Sequence, residues 1–351
     1  MQPTTHRIEQ NKLTQQAAFT QPAQDTEEKA YRSTAISYQV PNLLKKLTDP
    51  QNIYYETGFA KLDKLLGGGL EPGALVVLGG LAGVGKTTLA LQMAYNISTR
   101  YRKDVLFLAL EMTDFQMQVK LLSMLTASIT LRQVNNETTP LSVQQIRNTE
   151  CWNTLTQDEA DLYLSAAYEM QGNPHLFIQS PGKATADTVM KAVKRHKEMT
   201  GEAPIVFVDY LQYIKPDKPT VTDKQAIDGA VEVPKEISIK YDTPVVALSS
   251  LSRNAYQSPS IGAAKGSGEI EYTASTVLML TLPTGVTEKD AQSIDSKRSS
   301  LPGRFIPSTK RLQLTAVKNR SAANNCFMLL DFLDEYNYFV ETEQPKGKKG
   351  K

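Results

Sequence analysis

Residues 80–98 read GLAGVGKTTLALQMAYNIS. The spacing Gly80-x4-Gly85-Lys86-Thr87 is a phosphate-binding pattern, and its surroundings decide the fold. The run Ala74–Leu78, ALVVL, reads as a short buried strand; after the motif, Leu89, Met93 and Ile97 recur on one helical face. Strand, glycine-rich turn and helix in that order place a helix N-terminus over the turn, where open backbone N–H groups and a partial positive charge meet an anion. The expected phosphate-binding segment is Gly80, Leu81, Ala82, Gly83, Val84, Gly85, Lys86, Thr87 and Thr88. Lys86 supplies a mobile cation for the outer phosphates, and the Thr87 hydroxyl is placed to ligate Mg²⁺. The expected ligand class is a nucleoside triphosphate, the alternative being a plain glycine-rich turn between strand and helix.

Length and composition bound what surrounds this motif. The chain has 351 residues and a net charge of +2, so any basic surface is local and the whole is not an electrostatic sleeve for nucleic acid. Two cysteines, Cys151 and Cys326, stand far apart without partner spacing, which fits neither a disulfide framework nor a zinc site. The three histidines, His6, His175 and His196, do not cluster in the sequence. No apolar run spans a bilayer and MQPTTHRIEQNK carries no secretory core, so a soluble cytoplasmic protein without membrane contact is expected.

Three domains are expected: an arm over 1–53, an α/β core over 54–340 and a basic tail over 341–351. Residues 1–28 are Gln- and Thr-rich and read as disordered or adaptable. Pro41 interrupts weak helical character, leaving NLLKKL at 42–47 as a short amphipathic helix that either docks or is solvated. In the core, Leu62, Leu65 and Leu66 form a helical face ended by Gly67-Gly68-Gly69.

VLFLALEM at 105–112 reads as a strand buried on both faces, with Glu111 at its carboxyl end, where ligands sit in open α/β sheets. A helix follows over 115–127; residues 129–174 are mostly helical, clearest at 158–170, with Trp152 a packing anchor. After a strand at 175–179, Thr185 or Asp187 caps a helix closed by Gly201, on which His196 reads as structural or exposed. PIVFVDYLQYI at 204–214 holds a second buried strand ending in Asp209, a carboxylate suited to organising Mg²⁺.

The polar loop 215–225 leads to a helix over 227–241 that Pro234 should kink or shorten. PVVALSSLSR at 244–253 is a third buried strand with Ser249 and Ser250 at its end; the loop 254–268 and a strand at 275–282 follow. After a polar excursion at 284–307, residues 311–320 and 326–339 read as two strands of a hairpin joined by SAANN. The expected fold is α/β: a mostly parallel sheet flanked by helices, with a C-terminal antiparallel hairpin.

The order of these motifs resembles the RecA-like ATPase core, and within it the C-terminal motor domain of DnaB-type replicative helicases. TGFAKLDKLLGGGLEPGALVVLGG, LEM, VDYLQ, PVVALSSLSR and KGSGEIEYTA are similar to that family's successive motifs. The resemblance covers about residues 54–340. It implies ATP and Mg²⁺ as cofactors, Lys86 and Thr87 holding phosphates and metal, Glu111 polarising the attacking water, and Asp209 organising Mg²⁺. Lys318 and Arg320 match the pair that a neighbouring subunit inserts into the site, which implies a homo-oligomeric ring, a hexamer, with ATP between subunits; charged residues at a hairpin tip also occur simply as a solvated surface. Lys265, Gly266, Ser267 and Gly268 match the stretch that grips single-stranded DNA, although these loops also suit subunit contacts. Three departures stand out: Ser250 replaces a phosphate-sensing glutamine, Lys265-Gly266 replaces Arg-Glu, and about fifty residues before the core leave no room for a primase-binding collar. The implied function is an ATP-hydrolysing helicase motor acting on single-stranded DNA. The alternatives are a RecA/KaiC-like oligomeric ATPase switch or adaptor without unwinding activity, and a pure interaction protein, against which Lys86, Thr87, Glu111 and Asp209 argue.

Overall fold

The computed structural model describes residues 31–48, 54–133, 138–182, 184–216, 223–250, 267–283 and 309–342. The chain divides into two units, 1–54 and 55–351. In the first, α1 (Ile36–Thr48) runs through Pro41, where a break was expected. Pro41 there gives up the bond its own N–H would make and crowds the Ser37 carbonyl, yet the helix continues to Thr48. Ile36, Leu43, Leu44 and Leu47 on this helix are exposed.

The second unit opens with α2 (Ala60–Leu66), which buries Leu62, Leu65 and Leu66 and ends at Gly67 in the left-handed conformation. Then follow β1 (Leu75–Gly80), α3 (Lys86–Tyr101), β2 (Val105–Ala109), α4 (Asp114–Arg132), α5 (Val143–Arg147), α6 (Thr149–Trp152), α7 (Gln157–Gln171), β3 (Leu176–Gln179), α8 (Ala186–Thr200) and β4 (Ile205–Asp209). A 3₁₀ turn (Leu211–Tyr213) leads to α9 (Asp223–Tyr241), β5 (Val245–Ser250), α10 (Ser267–Thr273), β6 (Thr276–Thr281), β7 (Lys310–Asn319), β8 (Cys326–Leu333) and β9 (Tyr338–Glu341). Helix starts written in the sequence are used: Thr113, Ser142 and Thr156 each close a capping box with Gln116, Gln145 and Glu159. Of the two candidate caps for α8, Thr185 is the one, accepting from Thr188 N. Helix α9 passes through Pro234.

Among the described residues, nine strands form one sheet in the order β3-β2-β4-β5-β1-β6-β7-β8-β9. The first six are parallel and β7, β8 and β9 are antiparallel. The central strands are apolar throughout because both faces are covered. Val76, Leu78, Phe107, Phe207, Val246 and Leu248 join one cluster, which includes α3 and α4 residues; Leu75, Val77, Leu106, Val206, Val245 and Ala247 join the other, with α8 and α9 residues. Phe107 and Phe207, paired across β2 and β4, stack with centroids 5.8 Å apart.

Three expectations change. Strand β2 stops at Ala109, so Glu111 sits in the bend behind it. Residues 326–339 are not one strand: the turn at Asp334–Asn337 splits them into β8 and β9, a second hairpin, with Asn337 at φ 53°. The histidines His175 and His196, far apart in sequence, meet on Asp104, with His175 Nδ1 2.8 Å from Oδ1 and His196 Nε2 3.0 Å from Oδ2. His196 is buried edge-on against Phe177, a structural role. Trp152 acts as an anchor: its Nε1 donates to Ile146 O at 3.2 Å and its ring meets Tyr163 edge-on.

The antiparallel strands reach the phosphate-binding turn. Gln92 of α3 donates to Phe339 O at 3.0 Å and accepts from Phe339 N at 2.8 Å, satisfying the outer edge of β9 as a strand would. Gly85 has φ 93°, and a Cβ there would lie 2.9 Å from both Phe332 and Phe339. Gly85→Ala is therefore expected to destabilise the protein by about 2–4 kcal/mol through backbone strain and overpacking. Gly229, exposed inside α9 with open space around it, behaves oppositely, and Gly229→Ala should stabilise by about 0.5–1 kcal/mol. Urea unfolding of the two variants checks both signs.

Candidate functional site

The parallel strands bring their carboxyl ends to one edge of the sheet, and the candidate residues gather there. Gly80 ends β1 beside Ser250 of β5. The chain then turns through Gly83 (φ 79°) and Gly85 (φ 93°) into α3 at Lys86. Helical bonding starts at Leu89 N, which donates to Gly85 O. The N–H groups before it are those a helix start leaves open. A side chain on Gly83 would meet nothing within 4 Å, so the turn faces open space. Gly80 has no such room: a Cβ there would lie 2.9 Å from Leu280 O.

Lys86 folds back over this turn. Its Nζ donates to Gly80 O at 2.9 Å and Leu81 O at 2.8 Å. Burial lowers its pKa, opposed by the charges of Asp209 and Glu111. Asp209 is 2% exposed and lies at the end of β4, with a cis Asp209–Tyr210 peptide behind it. Burial pushes its carboxyl up to about 6; a hydrogen bond with Thr87 opposes this, Glu111 adds to it, and Lys86 and Lys120 oppose it. Glu111 itself is exposed. Its bend is tied to β4 by Leu110 N, which donates to Asp209 O at 2.7 Å. Lys86, Thr87, Glu111 and Asp209 thus share one neighbourhood.

Thr87, Glu111 and Asp209 are hard oxygen donors next to a phosphate-binding turn, the donor set that Mg²⁺ takes when the remaining ligands are water and phosphate. Thr87 and Asp209, already bonded to each other, fit the ion. When bound it would neutralise charge on the triphosphate.

Lys318 and Arg320 are elsewhere. Lys318 pairs with Val277 and Asn319 with Thr276, at the amino end of β6. That is the opposite edge of the sheet, a strand length of about 13–17 Å from Gly80. Lys318 Nζ donates to Glu271 O and Arg320 to Tyr272 O at 2.9 Å, at the end of α10. Burial lowers the pKa of Lys318 and of Lys235, and the nearby Arg320 charge lowers both further. Ser267 and Gly268 open α10, whereas Lys265, Gly266, residues 217–222 of the first loop, 254–266 of the second and the 284–307 excursion lie outside the described residues.

Two participants were missed in the sequence. Lys120 of α4 donates from Nζ to Thr88 Oγ1 at 3.3 Å and to Asn337 Oδ1, and burial lowers its pKa. The signal was a lysine one turn from Met117 and Met124 on the inward side of a helix. Beside it lies a cavity of about 570 Å³ lined by Met112, Gln116, Val119, Lys120, Asp334 and Asn337 among others. Gln212, within the quoted VDYLQ, reaches β5: its Nε2 donates to Ser249 Oγ at 2.9 Å and its Oε1 accepts from Ser250 N at 3.3 Å.

With a carboxyl raised from 3.8 to about 6, the folded protein holds a proton on Asp209 that the unfolded chain has released. Stability without metal therefore falls as pH rises between about 4 and 6. Asp209→Asn removes this dependence. At about pH 7.5 without Mg²⁺ the variant should be more stable than the parent, by up to about 3 kcal/mol, and the gap should close towards about pH 4. Urea unfolding across pH reads the difference.

A protein-family model, DnaB-like helicase C terminal domain, matches residues 55–341. The replicative DNA helicase DnaB of Treponema pallidum (strain Nichols) is 30% identical over 233 residues, 66% of this chain and 49% of that protein. That of Geobacillus stearothermophilus is 26% identical over 293 residues, 82% of this chain and 56% of that protein. The chain spans about half the length of these curated relatives. Among solved structures, an ATPase domain superposes with a TM-score of 0.72 at 21% identity, covering 88% of this chain and 99% of that one. A KaiC-like protein from Pyrococcus horikoshii OT3 reaches 0.50 at 16% identity, covering 82% and 98%. Both likenesses establish a RecA-like fold. By the extent of its family match, the chain belongs to the DnaB-like helicase C-terminal domain family.

Proposed function

We propose that this chain is the ATP-hydrolysing motor of a DnaB-like helicase, working on single-stranded DNA as a ring hexamer with Mg²⁺. The observation that carries the reading is the cluster of Lys86, Thr87, Asp209 and Glu111 at the end of the parallel sheet. In it, the N–H groups of residues 82–88 and the Lys86 ammonium take the triphosphate; the carbonyls that now hold Lys86 release it to the outer phosphates. Thr87 and Asp209 hold the ion. Glu111, exposed and free of the sheet, accepts the proton of the attacking water. The cavity beside Lys120 takes the ribose and base, with amides and carboxylates for polar edges and Met112 and Val119 for apolar walls.

Lys318 and Arg320 serve a neighbour's site, because their own lies at the far edge of the sheet. Three cations, Lys235, Lys318 and Arg320, crowd one another there, an arrangement that an arriving anion relieves. Lys265, Gly266, Ser267 and Gly268 contact the DNA backbone through N–H groups and one positive charge.

The test is ATP turnover with and without single-stranded DNA. Turnover is expected to rise with DNA, strand displacement on a forked duplex to accompany it, and Glu111→Gln to lower both by about 10²–10⁴-fold. ATP-dependent oligomers whose turnover ignores DNA would replace the motor with an oligomeric switch. No turnover under any condition would overturn the enzymatic reading.

A further inference from the structure

The ladder between β4 and β5 ends early. Its last registered pair is Val208 with Ala247, although β5 continues to Ser250. Beyond that pair Asp209 still pairs with Ala109 of β2, and the chain leaves the sheet at Tyr210 for the 3₁₀ turn. The Gln212 side chain fills the gap with the two bonds to Ser249 and Ser250. It stands in for a strand neighbour, donating to a hydroxyl and accepting from a backbone N–H.

We propose that Gln212 is a positioning residue for the hydrolytic step. It ties the end of β5 to the turn behind Asp209, so that the two move as one body. The turn is itself fixed: Leu211 and Ile214 are buried on the α8 and α9 side, and Tyr210 meets Tyr213 edge-on with centroids 4.9 Å apart. Ser249 is fully buried, so its hydroxyl has no water to replace the amide. On the other side, Ser249 and Ser250 run beside Gly79 and Gly80, the strand end that enters the phosphate-binding turn. The amide therefore closes a chain of contacts from the Gly80 turn, across β5, to the 3₁₀ turn that follows Asp209. Removing it leaves the phosphate-binding N–H groups and Lys86 untouched but frees the spacing between the two strand ends. Such a loss acts on the rate of reaction rather than on binding, since a displacement of about 1 Å matters for reacting groups.

The inference rests on the hydrolysis reading, and kinetics of the full chain with Mg·ATP separate the two. Gln212→Met keeps length and loses both bonds; kcat should fall by about tenfold or more while KM for ATP stays within about twofold. Ser249→Ala, which removes one partner only, should show a smaller fall in kcat. The double variant should match Gln212→Met alone, because both changes break one link. If Gln212→Met fails to fold, Ser249→Ala still decides, and a kcat within about twofold of the parent would overturn the proposal. So would a raised KM with kcat intact, or full additivity in the double variant. A parent chain that never turns over ATP sinks the hydrolysis reading and this inference together; normal turnover with an indifferent Gln212→Met sinks this inference alone.

Discussion

The desolvated carboxylate of Asp209 is the constraint on which the rest of the site depends. Strand β4 is apolar up to that residue, and the sheet carries the charge into a place with little water. Burial alone would keep the group protonated. The opposing influences all come from surrounding elements: Thr87 from the start of α3, Lys86 above it, and Lys120 from α4. The Asp209 carbonyl also accepts from Leu110 N, which holds the bend carrying Glu111. One residue at a strand end thus brings three chain segments together. A carboxyl raised by burial, with cations and a hydroxyl opposing that shift, is the electrostatic arrangement found at functional sites.

The sheet separates two kinds of cation. At its carboxyl edge, Lys86 faces the turn it folds over. At its amino edge, Lys318 and Arg320 hold the end of α10. The antiparallel addition makes this division possible, because β7 returns along β6 and delivers its last residues to the edge that the parallel strands leave. The same addition presses Phe332 and Phe339 against Gly85, so the C-terminal strands also shape the phosphate-binding turn.

Much of this was legible in the sequence, for physical reasons that differ by element. The Gly80–Thr87 turn was readable because positive φ and close approach demand glycine at fixed spacing. The buried parallel strands showed as unbroken apolar runs, and the start of α8 as the cap Thr185. The less legible features depend on contacts between distant residues. Lys120 has meaning only because Thr88 and Asn337 meet it across the fold. His175 and His196 share Asp104 only once β2, β3 and α8 are assembled. The split of residues 326–339 was hidden because Asp334–Asn337 lies between two apolar segments and makes its turn with Asn337 rather than glycine. Glu111 was placed at the right end of β2 but inside the strand, since Leu110 continues an apolar run that the backbone has already left.

In the proposed ring a complete site belongs to two subunits, one giving the Lys86 turn and the other Arg320. The most direct measurement mixes Lys86→Ala subunits with Arg320→Ala subunits, each inactive alone, and reads ATP turnover of the mixed oligomer. Random assortment at equal amounts leaves about a quarter of interfaces with both groups intact, so turnover should recover to a comparable fraction. Mixed oligomers that form and never regain turnover would contradict the shared site.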